Sequence, residues 1–366
     1  MGSYHPTFCD RKVLETGYVD YVVRGEGEHI IIDLLKNLDN LEKVKGISYR
    51  RNGKIIRNPN APPLDVSSLP LPARDLLKLS RYNSKLDERP MGTMISSRGC
   101  PFNCEFCSSS KFAGRRWRAR SPKDVVDEME ILKKEYGYGA IYLLDDNFVL
   151  NPLRAIAISK EIIRRKIDIR WMAFSRVETI VNHKEMVENM AKAGLSIAFL
   201  GIESADPDIL SSYKSLPASP EISAQAVKIL IKYGIKTWAS FMLGATKETE
   251  KTIFHTLRFA KKLNPHIVQF SILTPLPGTD LWKKVENRLI RPIKWKLFDC
   301  GHSVFKTDFL SPKRLQKLLT IVYIKFYLRP SRLWKELKDA LKKRHLFRSL
   351  VIFPLRGIRT LKSMRV

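Results

Sequence analysis

The chain has 366 residues, 44% of them hydrophobic and 28% charged, which is enough apolar material to bury a core without a disulfide framework and too much for disorder along its length. Lys and Arg outnumber Asp and Glu by 65 to 37, and the resulting +28 points to an anionic partner: nucleic acid, an acidic membrane surface or a polyanionic ligand. The start, MGSYHPTFCDRK, lacks the apolar stretch of a signal peptide, and no apolar run is long enough to span a membrane, so the expectation is a cytoplasmic protein with peripheral membrane attachment as an option.

In chain order, Val19 to Val23 predicts a short strand, Gly25 to Glu28 a turn, and His29 to Leu38 a helix. Gly46 to Arg57 reads as a hairpin turning at Asn52-Gly53. Asn58 to Pro72 is proline-rich and marks a linker. From there the pattern becomes regular. Strands are expected at Thr93–Ser97, Ala140–Leu144, Arg170–Phe174, Ser196–Gly201, Lys236–Leu243 and His266–Ile272. Helices are expected at Pro122–Tyr136, Pro152–Arg165, Lys184–Ala193, Pro220–Tyr233 and Glu248–Leu263, several of them opened by a capping residue and a proline: Ser121-Pro122, Asn151-Pro152, Ser219-Pro220. Strand–helix alternation means parallel strands with crossover helices, and six units make a closed or partly closed barrel. The boundaries expected are 1–57, a linker over 58–92, a barrel over 93–285 and a helical, basic region over 286–366. In that last region, residues 329–366 carry twelve Lys/Arg against two Asp/Glu. Leu333, Trp334, Leu337, Ala340 and Leu341 fall at helical spacing with lysines off the stripe, a pattern suited to an anionic membrane interface.

In a barrel of this kind the active site lies at the C-terminal ends of the strands. The unusual residues fall there: the Cys100 loop after the first strand, Asp145-Asp146-Asn147 after the second, Arg176 after the third, Glu203-Ser204 after the fourth, Gly244 after the fifth and Thr274 after the sixth. Cys100, Cys104 and Cys107 share one short loop, while Cys9 and Cys300 are isolated. Structural zinc usually takes four ligands in paired units, and no second pair exists here. An iron–sulfur cubane held by three thiolates leaves one iron open to a further ligand.

Cys100-x3-Cys104-x2-Cys107, with Phe106 before the last cysteine, resembles the signature loop of the radical S-adenosylmethionine (SAM) superfamily. The resemblance implies a partial (β/α)6 TIM-like barrel, a [4Fe–4S] cluster on the three cysteines, SAM on the open iron, and cleavage of SAM to a 5′-deoxyadenosyl radical that takes a hydrogen atom from the substrate. It implies SAM contacts at Phe106, Asp145, Asp146, Asn147, Arg176, Glu203, Ser204, Gly244 and Thr274, and a flavodoxin or ferredoxin as reductant. Arg115, Arg116, Arg118 and Arg120 are candidates to hold an anionic substrate.

His5-Pro-Thr7, the segment Val19 to Glu28 and the linker resemble the end of the Rossmann-like domain of cobalamin-type radical SAM proteins, the subgroup of the anaerobic magnesium-protoporphyrin ester cyclase, the hopanoid methylases and archaeal lipid-modifying enzymes. Only the last strand and helix of such a domain fit before residue 40, and no histidine stands in an Asp-x-His-x-x-Gly motif. The expectation is therefore a truncated remnant in which cobalamin binding is doubtful. The function expected is radical modification of a lipid-like or tetrapyrrole-like small molecule, by methylation or by C–C bond or ring formation. The alternatives are an RNA-modifying radical enzyme and a non-catalytic relative that keeps its cluster.

Overall fold

The computed structural model describes residues 1–215 and 219–334. The N-terminal unit comprises α1 (Tyr4–Phe8), α2 (Asp10–Glu15), β1 (Tyr21–Val23), α3 (Gly27–Lys36), β2 (Ile47–Arg51) and β3 (Lys54–Arg57). Its strands form an antiparallel sheet in the order β1-β2-β3. Asn52 and Gly53 both take positive φ, 51° and 74°, as the predicted two-residue hairpin turn requires. Asp10 ties the unit together: it is buried, accepts from Ser48 Oγ at 2.6 Å and pairs with Arg57 at 3.2 Å.

The larger unit runs β4 (Lys85–Leu86), β5 (Arg89–Met94), β6 (Ser97–Arg98), α4 (Ser108–Phe112), β7 (Arg118–Ala119), α5 (Pro122–Lys134), β8 (Ala140–Leu143), α6 (Pro152–Arg164), β9 (Arg170–Ser175), α7 (Val177–Asn182), α8 (Lys184–Lys192), β10 (Leu195–Glu203), α9 (Pro207–Tyr213), α10 (Pro220–Lys232), β11 (Lys236–Leu243), α11 (Glu250–Leu263), β12 (Ile267–Ile272), α12 (Asp280–Val285) and α13 (Pro312–Tyr327). Strands β5, β8, β9, β10, β11 and β12 pair in parallel in chain order, and β4 adds an antiparallel edge. This is the open six-unit barrel that the alternation predicts. The predicted caps also form: Ser121 Oγ accepts from the Asp124 amide, Asn151 from Arg154 and Ser219 from Ile222, each before a proline at the start of its helix.

Most strand boundaries fall within two residues of the expectation, and the first barrel strand differs most. The first barrel strand is β5, which starts at Arg89 rather than Thr93 and ends at Met94. Pro90 and Gly92 conceal it in the sequence. Pro90 sits opposite Lys85 on the edge strand, and Gly92 lies under the Tyr138 ring, where a Cβ would come within 2.8 Å.

The core lies between the sheet and the outer helices, with Trp171, Phe148, Phe241 and Phe326 fully buried. The concave face is not filled in this way. Tyr142, Phe174, Phe199 and Trp238 form a half-buried row across four strands, with ring centroids 5.7, 4.6 and 5.4 Å apart.

An open barrel exposes an edge strand, a pairing hazard that proteins cover. Here α13 covers β12. Tyr323 Oη donates to the Phe270 carbonyl at 2.8 Å and accepts from its amide at 2.9 Å; Tyr327 does the same for Val268 at 2.7 and 3.0 Å. One helical turn nearly matches two strand residues, so two tyrosines four apart satisfy two strand positions two apart. Tyr323→Phe is expected to lose about 1–3 kcal/mol in urea unfolding by leaving both Phe270 backbone groups without their partner.

The apolar stripe Leu337–Leu341 and the rest of the basic tail lie outside the described residues; Leu333 and Trp334 are described and exposed. Among the described residues, no helix is long and apolar enough to cross a membrane.

Candidate active site

The loop leaving β5 carries the cysteines, and residues from the next strand hold it. Asp145 is fully buried and accepts from the Ser96 amide at 2.6 Å, Ser96 Oγ at 2.6 Å and Ser97 Oγ at 2.5 Å. Arg154 donates to the Ser96 carbonyl at 2.8 Å. Asp146 accepts from the Gly99 amide at 2.8 Å. Gly99 has a φ of 85°, and a Cβ there would strike the Arg116 carbonyl oxygen at 2.0 Å, so only glycine fits immediately before the first cysteine.

Asp145, Asp146 and Asn147 thus do different things. Asp145 spends both oxygens on protein donors and shapes the loop; burial nevertheless pushes its carboxyl above the ordinary range. Asp146 bonds the loop backbone. Asn147 is buried, and among the described residues neither of its amide atoms finds a hydrogen-bond partner. An amide in that condition costs free energy unless a ligand or water completes it.

Cys104 is buried, and Cys100 and Cys107 are half-buried. Its sulfur lies 3.8 Å from Ser215 Oγ, which also accepts from the Asn103 amide at 3.2 Å. Burial pushes the Cys100 thiol up to about 11 and raises Cys107, and each is further raised by charge on its neighbouring thiols. Backbone amides oppose this: Phe102 donates towards Cys100, and Ser109 and Ser110 towards Cys107. Such donors suit thiolates, as in sulfur-ligated metal centres. Among the described residues, no three His, Cys, Asp or Glu side chains stand close enough to hold a single metal ion. The donor set itself, three cysteines on one short loop with amides donating towards two of their sulfurs, has the chemistry of a thiolate-ligated cluster.

Arg176 lays its guanidinium over the Phe102 ring at 4.1 Å and pairs with Glu178 at 3.3 Å. Its fork therefore meets Glu178. Glu203 ends β10 at a bulge, with φ at 72°. Its carboxylate rests over Gly201 in a recess shared with Tyr213, Lys214 and Met242, and desolvation raises it despite the nearby charges of Lys214 and Arg176. Among the described residues it takes no hydrogen bond or ion pair.

The remaining predicted positions back the rim. Phe106 packs on the small cluster around Tyr213, Leu273 and Trp282. Ser204 is buried and accepts from the Asp206 amide at 3.1 Å. Thr274 is buried and donates to the Ile272 carbonyl. The Gly244 amide donates to Glu248 at 2.5 Å. Of the four arginines after the loop, Arg118 pairs with Glu26 and Arg120 with Glu128, which leaves Arg115 and Arg116 exposed.

Three features went unread in the sequence. Lys111 bridges Asn103 at 2.6 Å and Asp280 at 2.5 Å, fastening the cysteine loop to α12. Glu26 and Glu28, read only as turn residues, hold Arg98 at 3.1 and 2.6 Å and so dock the N-terminal unit beside Gly99. Glu248 is the third. Burial pushes its carboxyl up to about 7 from 4.5, although the Gly244 and Ala245 amides donate to it. Between those values the folded chain keeps a proton that the unfolded chain has lost, so stability falls as pH rises through that window. The drop is on the order of 1.4 kcal/mol per pH unit, about 3 kcal/mol at most. Glu248→Gln is expected to flatten the slope in urea unfolding measured across the window.

The sequence profile of the Radical SAM superfamily matches residues 94–260. The chain is 40% identical over 343 residues to the uncharacterized methyltransferase PH0819 of Pyrococcus horikoshii, covering 92% of this chain and 74% of that one. It is 32% identical over 348 residues to the anaerobic magnesium-protoporphyrin IX monomethyl ester cyclase of Cereibacter sphaeroides, covering 90% of this chain and 55% of that one. Among solved structures, the cobalamin-dependent SAM radical enzyme OxsB with aqua-cobalamin bound superposes with a TM-score of 0.73 at 20% identity, over 95% of this chain and 58% of that one. The chain thus spans little more than half the length of the latter two.

Proposed function

Since the chain belongs to the radical SAM superfamily, we propose that Cys100, Cys104 and Cys107 hold a [4Fe–4S] cluster, that SAM binds its open iron, and that the enzyme modifies a hydrophobic small molecule by methylation or by C–C bond or ring formation. When bound, the cluster supplies the electron that cleaves SAM. The observation that carries this reading is the cysteine loop itself, set at the C-terminal rim of the first parallel strand with backbone amides directed at its sulfurs.

The chain's own residues position and neutralise. Asp145 and Arg154 fix the loop's path. Glu203 and the free amide of Asn147 offer acceptors, and Asn147 a donor, to the ammonium, carboxylate and hydroxyl groups of SAM. Arg176, half-neutralised by Glu178, supplies positive charge beside the loop. The +10 net charge of residues 329–366 supports docking on an anionic surface, at about 1 kcal/mol per basic residue. A corrinoid does not fit residues 1–57 by themselves: their sheet is antiparallel and three-stranded, without the parallel layer of a Rossmann-like unit.

The test uses anaerobic, iron- and sulfide-reconstituted protein reduced with dithionite. The expected result is a reduced-cluster EPR signal that shifts on adding SAM, with 5′-deoxyadenosine detected by mass spectrometry, and a reduced flavodoxin or ferredoxin able to replace dithionite. Bound zinc, or a cluster indifferent to SAM, would sink the reading.

A further inference from the structure

We propose that the cavity beside the cysteine loop, between α1 and the far rim of the barrel, is the substrate pocket and takes a planar, unsaturated ring that is neutral or anionic. This rests on the radical-enzyme reading above. The cavity measures about 340 Å³, within the range of small-molecule sites. Its walls come from three separate segments: Tyr4, His5 and Phe8 on α1, Leu276 after β12, and Trp295 and Phe298 beyond α12. Ser108 also lines it and directly follows Cys107, so the cavity opens on the cluster loop.

The lining rings are held by contacts with other rings. Tyr4 stacks on Phe112 of α4 at 4.3 Å and donates to Ser109 at 3.4 Å. His5 meets Trp295 edge-on at 4.5 Å, Trp295 lies 5.1 Å from Phe298, and Trp282 stacks behind Trp295 at 6.1 Å. Phe8 crosses Gly278 so closely that a Cβ there would sit 2.2 Å from its ring. Rings fixed in this way offer faces and edges to another ring, and aromatic pairs gain affinity beyond the area they bury, which a saturated chain does not.

Charge argues against a cation. An aromatic cage can bind ammonium groups, but this chain carries +28, and burial together with the charge of Lys12 lowers the His5 pKa, which favours the neutral imidazole, able to hydrogen-bond a ring substituent.

Calorimetric titration of the reconstituted full-length chain separates the possibilities with two probes of equal charge, pyrene-1-carboxylate and hexadecanoate. The expected result is that pyrene-1-carboxylate binds at least about tenfold tighter, and that Trp295→Leu and His5→Ala each weaken it by about tenfold while hexadecanoate is unaffected. Tyr18→Leu, at an exposed tyrosine of the N-terminal unit, is the control and leaves both unchanged. Thermal unfolding by circular dichroism verifies that each variant is folded. Equal or tighter binding of hexadecanoate, or binding indifferent to both pocket variants, would overturn the proposal. SAM cleavage is measured on the same samples. Failed ring binding with cleavage intact strikes the pocket alone, and ring binding without cleavage overturns its substrate role.

Discussion

Alanine in place of Cys104 is expected to lower 5′-deoxyadenosine formation by at least about a thousandfold, roughly 4 kcal/mol of barrier, while leaving the fold nearly intact. The thiol is buried, with the small, polar Ser215 hydroxyl 3.8 Å from its sulfur. The loop's path depends on Asp145, Asp146 and Arg154, none of which contacts this sulfur. Losing one of three thiolates removes cluster affinity without removing the scaffold. Cys9→Ala and Cys300→Ala provide the contrast. Cys9 packs with Val13, Leu14 and Val22 in the N-terminal unit, and Cys300 is exposed with its carbonyl accepting from Ile272 at 2.7 Å. Both are expected to retain iron and turnover. Iron content, EPR and product quantification on the three variants check this; a Cys104→Ala protein that still cleaves SAM would remove the cysteine from the ligand set.

The alternation of β-branched strands with capped helices was legible because both signals are local. Val, Ile, Trp and Phe runs fill the sheet, and a capping side chain before proline starts α5, α6 and α10. β5 was misplaced because its start is written in Pro90 and Gly92, residues that normally interrupt strands, and the reason for them lies in Lys85 and Tyr138. The location of the rim followed from topology. Which way each rim side chain faces did not. Asp145 and Asn147 are two residues apart, yet one is saturated by Ser96 and Ser97 while the other has no partner among the described residues. The docking of Glu26 and Glu28 on Arg98 joins residues some seventy positions apart, and no short-range pattern announces it. The four arginines after the loop are candidates in sequence to hold an anionic substrate, but two of them are spent on internal carboxylates.

Glu203→Gln is expected to make the protein more stable and a poorer SAM binder. The residue combines two costs: a positive φ in a non-glycine residue, and a recessed carboxylate with no hydrogen bond among the described residues. Gln keeps the backbone strain and removes the charge. Because burial raises the folded carboxyl above its unfolded value, the charged form is penalised once pH exceeds the ordinary carboxylate range, and that penalty grows until the folded group has also ionised. The variant should therefore gain stability at neutral pH, on the order of 1 kcal/mol, and lose that advantage in acid, where both proteins carry a neutral group. Strain and desolvation kept at one position, when a single substitution removes half the cost, are what a functional residue looks like energetically. A charged acceptor facing SAM is worth about 1.5–3 kcal/mol, so SAM affinity should fall by about tenfold to a hundredfold. Unfolding at neutral and acid pH, with SAM titration of the reconstituted protein, separates the two effects. Greater stability with unchanged SAM affinity would make Glu203 a structural oddity; lower stability at neutral pH would mean that Lys214 and Arg176 already compensate its charge.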